Sequence, residues 1–309
     1  MIVEPNADHL VWLDGEIVPW RKATMHVSDH HYGIGVFEGV RSYAIGQDGA
    51  SLFRLRDHTQ RFLRSAHILG MRLPAPCDQR LLNEVQVELV RRNRLRDAYL
   101  RPFAFYGGAF GLAPRTQSLT VHVAVLALEW KGTGEMRPKN GGLKLHTSTF
   151  SRYHANSLLT RAKANANYMN GILAVQEAHR NGADDVLLLD AQGYVCETSG
   201  ANVFVVRDGV LFTPPLECVL EGITRDTVFQ LASGLGLTVV ERRITRDDVY
   251  VADEAFVTGT AAEIMPIREV DGRAIGGGSG KIGPVMAALY ADHVRGRAEH
   301  RPEWLTSVY

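Results

Sequence analysis

Cysteine is scarce in this chain. Cys77, Cys196 and Cys218 are the only three among 309 residues, and they stand far apart. Their number is odd, and their spacing fits neither a zinc site nor a CxxC redox pair. A reduced, cytoplasmic compartment is the expectation that follows. Long apolar runs are missing too. One uncharged, strand-like stretch, Leu119 to Leu128, is about half of what a membrane-spanning helix needs. Met1-Ile2-Val3-Glu4-Pro5-Asn6-Ala7-Asp8 lacks the basic start and apolar stretch of a secretory signal. Neither sign of charge is in excess, since 34 basic residues balance 34 acidic ones. No basic block marks a surface for nucleic acid or an anionic membrane. The densest basic run, Arg91-Arg92-Asn93-Arg94, reads as the solvated end of a helix, where cations suit the macrodipole.

Several catalytic signatures are absent as well. There is no HExxH, no GxSxG elbow and no clustered set of cysteine ligands. His30-His31 is the one adjacent histidine pair. Adjacent residues do not share a helix or strand face, so no metal site is expected there. The run Gly276-Gly277-Gly278-Ser279-Gly280-Lys281 has the flavour of a phosphate loop but fails as one. Position 275 is not glycine, and Ile282 sits where Ser or Thr is needed.

What remains is an ordinary globular composition, 45% hydrophobic and 22% charged. The length exceeds what a single core usually supports, so two domains are expected. Leu10 to Val18 reads as a hairpin about Asp14-Gly15. Helical spacing links Phe62, Leu63, Ala66 and Leu69, and a second helix follows the N-cap Asp78 with Leu82, Val85 and Leu89 on one face. Strands are predicted over Ala98–Tyr106 and Leu119–Trp130. The Gly-containing stretch 131–141 is the best linker on composition. Beyond it come a strand from Leu143 to Thr149, a helix from about Ala166 to Arg180 ending at Asn181-Gly182, and strands at Val186–Leu189 and Val195. A hairpin follows about Asp208-Gly209, then a helix from near Thr224 and a strand at Leu237–Glu241. No fixed-period repeat is visible.

Seven segments, spread in order over nearly the whole chain, carry the functional signal. They are His31-Tyr32-Gly33 leading into Val36-Phe37-Glu38-Gly39-Val40-Arg41; Asp57-His58-Thr59-Gln60-Arg61; Ala98-Tyr99-Leu100-Arg101-Pro102; Lys163-Ala164-Asn165-Ala166-Asn167-Tyr168; Glu197 before Ser199-Gly200-Ala201-Asn202; Leu220-Glu221-Gly222-Ile223-Thr224-Arg225-Asp226; and Gly259-Thr260-Ala261-Ala262-Glu263. Together they resemble the branched-chain aminotransferases, in the class IV, D-amino-acid-aminotransferase-like fold group of pyridoxal phosphate enzymes.

That resemblance implies a mixed α/β, two-domain enzyme of fold type IV. A smaller N-terminal domain (1–130) and a larger cofactor-binding C-terminal domain (142–309) would flank the linker, with pyridoxal 5'-phosphate between them. It implies that Lys163 bonds the cofactor and shuttles a proton, that Glu197 pairs with the pyridinium nitrogen, and that Tyr168 hydrogen-bonds the phenolic oxygen. A lysine does this work if its surroundings lower its pKa. The phosphate would be held by Arg61, the amides of Ile223 and Thr224 at a helix N-terminus, and the Thr260 hydroxyl. Leu220 would pack on the ring. Phe37, Gly39, Tyr99 and Trp130 would line an apolar substrate pocket, Arg101 would meet a distal carboxylate, and Ala261 and Ala262 would offer amides to the α-carboxylate. Tyr32 would reach a neighbouring subunit's site, so a homodimer or larger homo-oligomer is implied.

The implied reaction moves an amino group between L-branched-chain amino acids and 2-oxoglutarate. Alternatives are a D-amino-acid or R-selective amine aminotransferase, or a lyase, of the same fold group. More remote is a non-catalytic pyridoxal phosphate binding protein. Tyr99-x-Arg101 favours the branched-chain type, because Phe103 sits where D-amino-acid enzymes tend to carry a histidine. Departures from the family pattern are Ala201 for a common Glu, Thr198 and Ala166 for common Gly, Phe150 for a usual Trp, and Thr133 for a Tyr found in some members. Phe150 and Thr133 put the substrate scope in question.

Overall fold

The computed structural model describes residues 5–30, 33–108, 115–130, 141–276, 280–298 and 301–309, with only the backbone for Ser28 and His30. The architecture is mixed α/β, as expected, and the chain divides into two compact units. The first comprises Met1–Gly132, Ala162–Ala166 and Val294–Tyr309, and the second Thr133–Arg161 and Asn167–His293. This departs from a simple cut between 1–130 and 142–309, because residues 162–166 and 294–309 belong to the first unit. Long-range backbone pairing is the cause. Ala164 bridges Val36, and the strand Leu305–Ser307 pairs with residues 51–53. Residues 131–140 of the expected linker lie outside the described residues.

In the first unit, β1 (Leu10–Leu13) and β2 (Glu16–Pro19) form the expected hairpin. Asp14 and Gly15 both take positive φ, 48° and 100°, as a two-residue turn of this kind requires. There follow β3 (Gly35–Phe37), β4 (Val40–Ile45), β5 (Gly49–Phe53), α1 (Leu55–Ile68), α2 (Gln79–Arg92), β6 (Ala98–Gly107) and β7 (Thr120–Glu129). The sheet runs Leu305–Ser307, β5, β4, β6, β7, β1, β2, with β3 also on β6. Its neighbours are antiparallel. Leu55, Phe62 and Ala66 of α1 and Leu82, Val85 and Leu89 of α2 share a core with Val36, Leu52, Leu100 and Val125. Burying one such large side chain stabilises by about 1.5–3 kcal/mol. Asp78 caps α2 as expected, accepting from the Leu81 amide at 2.8 Å.

The second unit holds β8 (Leu143–Thr147), α3 (Tyr168–Arg180), β9 (Asp185–Leu187), β10 (Asn202–Arg207), β11 (Val210–Thr213), α4 (Ile223–Gly234), β12 (Val239–Glu241), α5 (Arg246–Tyr250), β13 (Glu254–Gly259), β14 (Glu263–Val270), β15 (Arg273–Ala274) and all but the last residue of α6 (Ile282–Val294). The sheet order is β12, β11, β10, β13, β14, β8, β9, with β15 beside β14. Leu145, Leu187, Val203, Val205, Val257 and Ile267 lie in its core. β8 is shorter than its sequence suggests. The Thr149 amide donates to the Glu177 carboxylate at 3.0 Å and so leaves the ladder. Val195 forms an isolated bridge with Leu189 rather than a strand.

Candidate active site

Lys163 is held by its backbone in the first unit. Its amide donates to Ser65 Oγ of α1 at 3.0 Å, and its carbonyl accepts from the Phe37 amide of β3 at 3.0 Å. Its ammonium lies 4.9 Å from the centre of the Phe37 ring. Burial, reinforced by the Arg61 charge and opposed by Glu38, brings the Lys163 pKa down from 10.5 to about 8. Desolvation disfavours the charged amine, and a neighbouring cation does the same.

Arg61 comes from α1 and is buried. Its Nε donates to Glu38 Oε1 at 2.6 Å and its Nη2 to Glu38 Oε2 at 2.9 Å. His58, one helical turn earlier, lies with Nδ1 2.8 Å from the same Oε2. Burial alone would raise the Glu38 pKa. The Arg61 charge and the His58 hydrogen bond outweigh it and hold the carboxyl well below its usual range.

Alternation along β6 puts Tyr99 and Arg101 on one face. The Arg101 guanidinium stands 4.5 Å from the Phe37 ring centre, and its Nη2 donates to the Tyr99 hydroxyl at 3.5 Å. Tyr99 packs against Trp130 with ring centres 5.4 Å apart. Gly39 makes room for this wall, because a Cβ there would overlap the Tyr99 hydroxyl. No carboxylate pairs with Arg101 among the described residues. The first unit thus gathers an amine of lowered pKa, a buried cation, an aromatic wall and a second, partly exposed cation.

In the second unit, Glu197 is buried just before β10. Its Oε2 accepts from the Leu220 amide at 3.1 Å, and its Oε1 pairs with Arg152 Nη2. Asn202 Nδ2 donates to the Leu220 carbonyl at 3.0 Å. Both polar groups of the Leu220 backbone are therefore pinned, which fixes the entry into α4. Gly222 is the N-cap of α4, and a Cβ there would overlap Asn202 Oδ1. The amides of Ile223 and Thr224 open that helix, whose N-terminus favours an anion. Tyr168 opens α3. Arg152 Nη2 also donates to Tyr153 Oη at 2.6 Å, and burial raises the Tyr153 pKa. Thr260, Ala261 and Ala262 form the turn between β13 and β14, closed by the Gly259–Glu263 pair. Tyr32, His31 and Thr133 lie outside the described residues.

A family model for amino-transferase class IV matches residues 35–270. The chain belongs to the class IV aminotransferases. Its relatives include the branched-chain-amino-acid aminotransferase of Pseudomonas aeruginosa, 49% identical over 98% of each chain. The enzyme of the same name from Escherichia coli strain K12 is 38% identical over 98% of each. Among solved structures, the T.th. branched-chain amino acid aminotransferase complexed with N-(5'-phosphopyridoxyl)-L-glutamate superposes with a TM-score of 0.90 at 42% identity, covering 98% of this chain and 99% of that one. That of Thermoproteus uzoniensis with norvaline superposes with the same score at 41% identity, covering 97% and 99%.

This class IV aminotransferase has polar residues around its candidate site to which sequence reasoning gives no role. Glu38 and His58 stand inside quoted segments, yet nothing in the pattern says that they meet Arg61. Arg152 and Tyr153 stand in no such segment, and only the fold brings Arg152 to Glu197. Among the described residues of the aminotransferase, no group of three or more His, Cys, Asp or Glu side chains is placed to hold a metal ion. No described helix is long and apolar enough to cross a membrane.

Proposed function

We propose that this aminotransferase is a pyridoxal-phosphate-dependent branched-chain-amino-acid transaminase, passing the amino group of leucine, isoleucine or valine to 2-oxoglutarate. The observation that carries the substrate choice is the wall of Phe37, Tyr99 and Trp130 beside Lys163, with Arg101 at its edge and no carboxylate paired with it among the described residues. An apolar wall suits a branched side chain. A partly buried guanidinium suits the distal carboxylate of the second substrate, which is costly to desolvate unless paired. The names of the relatives support the same choice.

The donor set fits pyridoxal phosphate. Lys163 offers an amine with a pKa of about 8, a fraction of which is neutral at physiological pH. Arg61, the first amides of α4 and the Thr260 hydroxyl offer the charge and donors that a phosphate needs. When bound, the cofactor supplies an electron sink for negative charge developing on the substrate α-carbon. Lys163 Nζ is the base that takes the proton from that carbon. Glu197, whose carboxylate Arg152 and the Leu220 amide hold in one orientation, would stabilise a proton on the ring nitrogen. Tyr168 would donate to the phenolic oxygen, Leu220 would pack on the ring, and the amides of Ala261 and Ala262 would receive the substrate α-carboxylate.

A homodimer is part of the proposal. Its support is the apolar face of α3, where Met169 and Ile172 are 60% and 52% exposed, with Leu173, Leu159 and Phe150 also uncovered in the same unit. Such a patch on a soluble chain marks an interaction surface. Tyr32 is proposed to reach the active site of the neighbouring copy. A cytoplasmic location, supported by three free cysteines, completes the picture.

The test is a half-reaction screen. The purified enzyme is mixed with single amino acids and amines of both hands, and the visible absorbance of its cofactor is followed. L-leucine, L-isoleucine, L-valine and L-glutamate are expected to discharge it. Preferential discharge by D-amino acids or R-amines would replace the branched-chain assignment with one of those.

A further inference from the structure

Glu38 is fully buried, and no step above uses it. Its carboxylate is nonetheless crowded with donors. Oε1 accepts from Arg61 Nε at 2.6 Å. Oε2 accepts from Arg61 Nη2 at 2.9 Å, from His58 Nδ1 at 2.8 Å and from the Gly39 amide at 3.1 Å. Glu38 and Gly39 lie in the bend between β3 and β4, while His58 and Arg61 lie one turn apart on α1.

A buried ion pair is a poor source of stability. Desolvating both charges offsets most of their attraction, and two apolar side chains of the same volume often do as well. What a two-point carboxylate–guanidinium contact does provide is geometry. An arginine side chain has several rotatable bonds, and α1 fixes only where it starts. Gripping one edge of the planar guanidinium fixes its plane and the direction in which its remaining N–H groups face.

We propose that Glu38 is a positioning residue, gripping the Nε–Nη2 edge of Arg61, with His58 bracing the carboxylate, so that the guanidinium meets a phosphate in one orientation. This inference rests on the phosphate role given to Arg61 above. Glu38 has a second effect on the same cluster. Its negative charge opposes the influence of Arg61 on Lys163. The pair as a whole therefore presents Lys163 with a compensated cation rather than a bare one.

The test uses the full-length chain stripped of cofactor and titrated with two probes, pyridoxal 5'-phosphate and pyridoxal, which lacks the phosphate. In the Glu38→Gln variant, affinity for pyridoxal 5'-phosphate should fall about 10- to 100-fold, by analogy with the loss of metal affinity when the partner behind a metal ligand is removed. Affinity for pyridoxal should stay close to wild type. The pH midpoint for amine labelling of Lys163, read by peptide mapping, should move to lower pH, because Arg61 is then uncompensated. Equal weakening toward both probes, or none toward either, would overturn the proposal. If Glu38→Gln does not fold, His58→Gln decides. It removes only the brace and should give a smaller loss with the same selectivity for the phosphate-bearing probe, and a loss without that selectivity would overturn the proposal. A wild-type chain that binds pyridoxal as tightly as pyridoxal 5'-phosphate would overturn the phosphate role of Arg61 itself, and Glu38 would then have no anion to position.

Discussion

Lys163 is held in a place that disfavours its charge, and this has a consequence for the cofactor-free protein. Its pKa is about 8 in the folded chain, against an ordinary 10.5. Below pH 8 both folded and unfolded chains keep the amine protonated, and folding bears the full cost of burying that charge. The cost falls as pH rises from 8 and is gone above 10.5. Lys163→Met should therefore stabilise the cofactor-free chain by up to about 3 kcal/mol at pH 7, with the gain shrinking toward pH 10.5. Urea unfolding of both proteins at pH 7 and pH 10 checks this, and a gain independent of pH would contradict it. Turnover should be abolished in the same variant. Arg101 has a different signature. Arg101→Leu should weaken the glutamate and 2-oxoglutarate half-reactions by roughly 2–5 kcal/mol, the range for losing one partner of a buried charge pair, and affect leucine much less. Single-turnover rates for both amino acids decide; equal losses would mean that Arg101 only shapes the pocket. Lys163, Tyr99 and Arg101 are legible in sequence because each sits in a short local pattern, and strand alternation alone puts Tyr99 beside Arg101. The partners Glu38 for Arg61 and Arg152 for Glu197 are not, since each pair joins residues that only the fold brings together.

The elements divide along the same line. The hairpin at Asp14-Gly15, the cap at Asp78 and the start of α4 after Gly222 are all written in a few adjacent residues. Helix α6 is not. Gly280, Gly283 and Pro284 make its beginning look like a loop, although proline in the first turn leaves no helix hydrogen bond unmade. The deciding group comes from β13. The Glu254 carboxylate accepts from the amides of Lys281, Ile282 and Gly283 at 2.9, 2.9 and 2.7 Å. A carboxylate there satisfies the open amides and suits the helix dipole. Glu254→Ala should lower stability by about 1–2 kcal/mol, at the upper end of cap losses, as measured by chemical denaturation. A change within error would mean that water replaces the carboxylate at no cost.

At the scale of the whole molecule, the apolar face of α3 is the ground for proposing that the active unit is a pair of chains. Sedimentation of the enzyme under turnover conditions should find no active monomer, and Met169→Glu together with Ile172→Glu should reduce activity and association in parallel. Activity that survives dissociation would refute this. The mixed architecture is readable from alternating strand and helix patterns, whereas the way the chain returns to its first unit is not. The strand Leu305–Ser307 pairs with β5, and Val308 is buried beside it, its amide donating to the Ala50 carbonyl at 2.9 Å. These partners are made about 250 positions apart, which at roughly 5–20 residues per second is on the order of 10–50 s of synthesis. Throughout that interval β5 emerges with one edge of its backbone unmatched, and Lys163 is also still to come for much of it. An unmatched strand edge is a site for wrong pairing. The first unit begins to emerge before the second yet cannot finish before it, so a nascent chain that stalls within residues 167–293 carries an open edge that the finished protein never exposes.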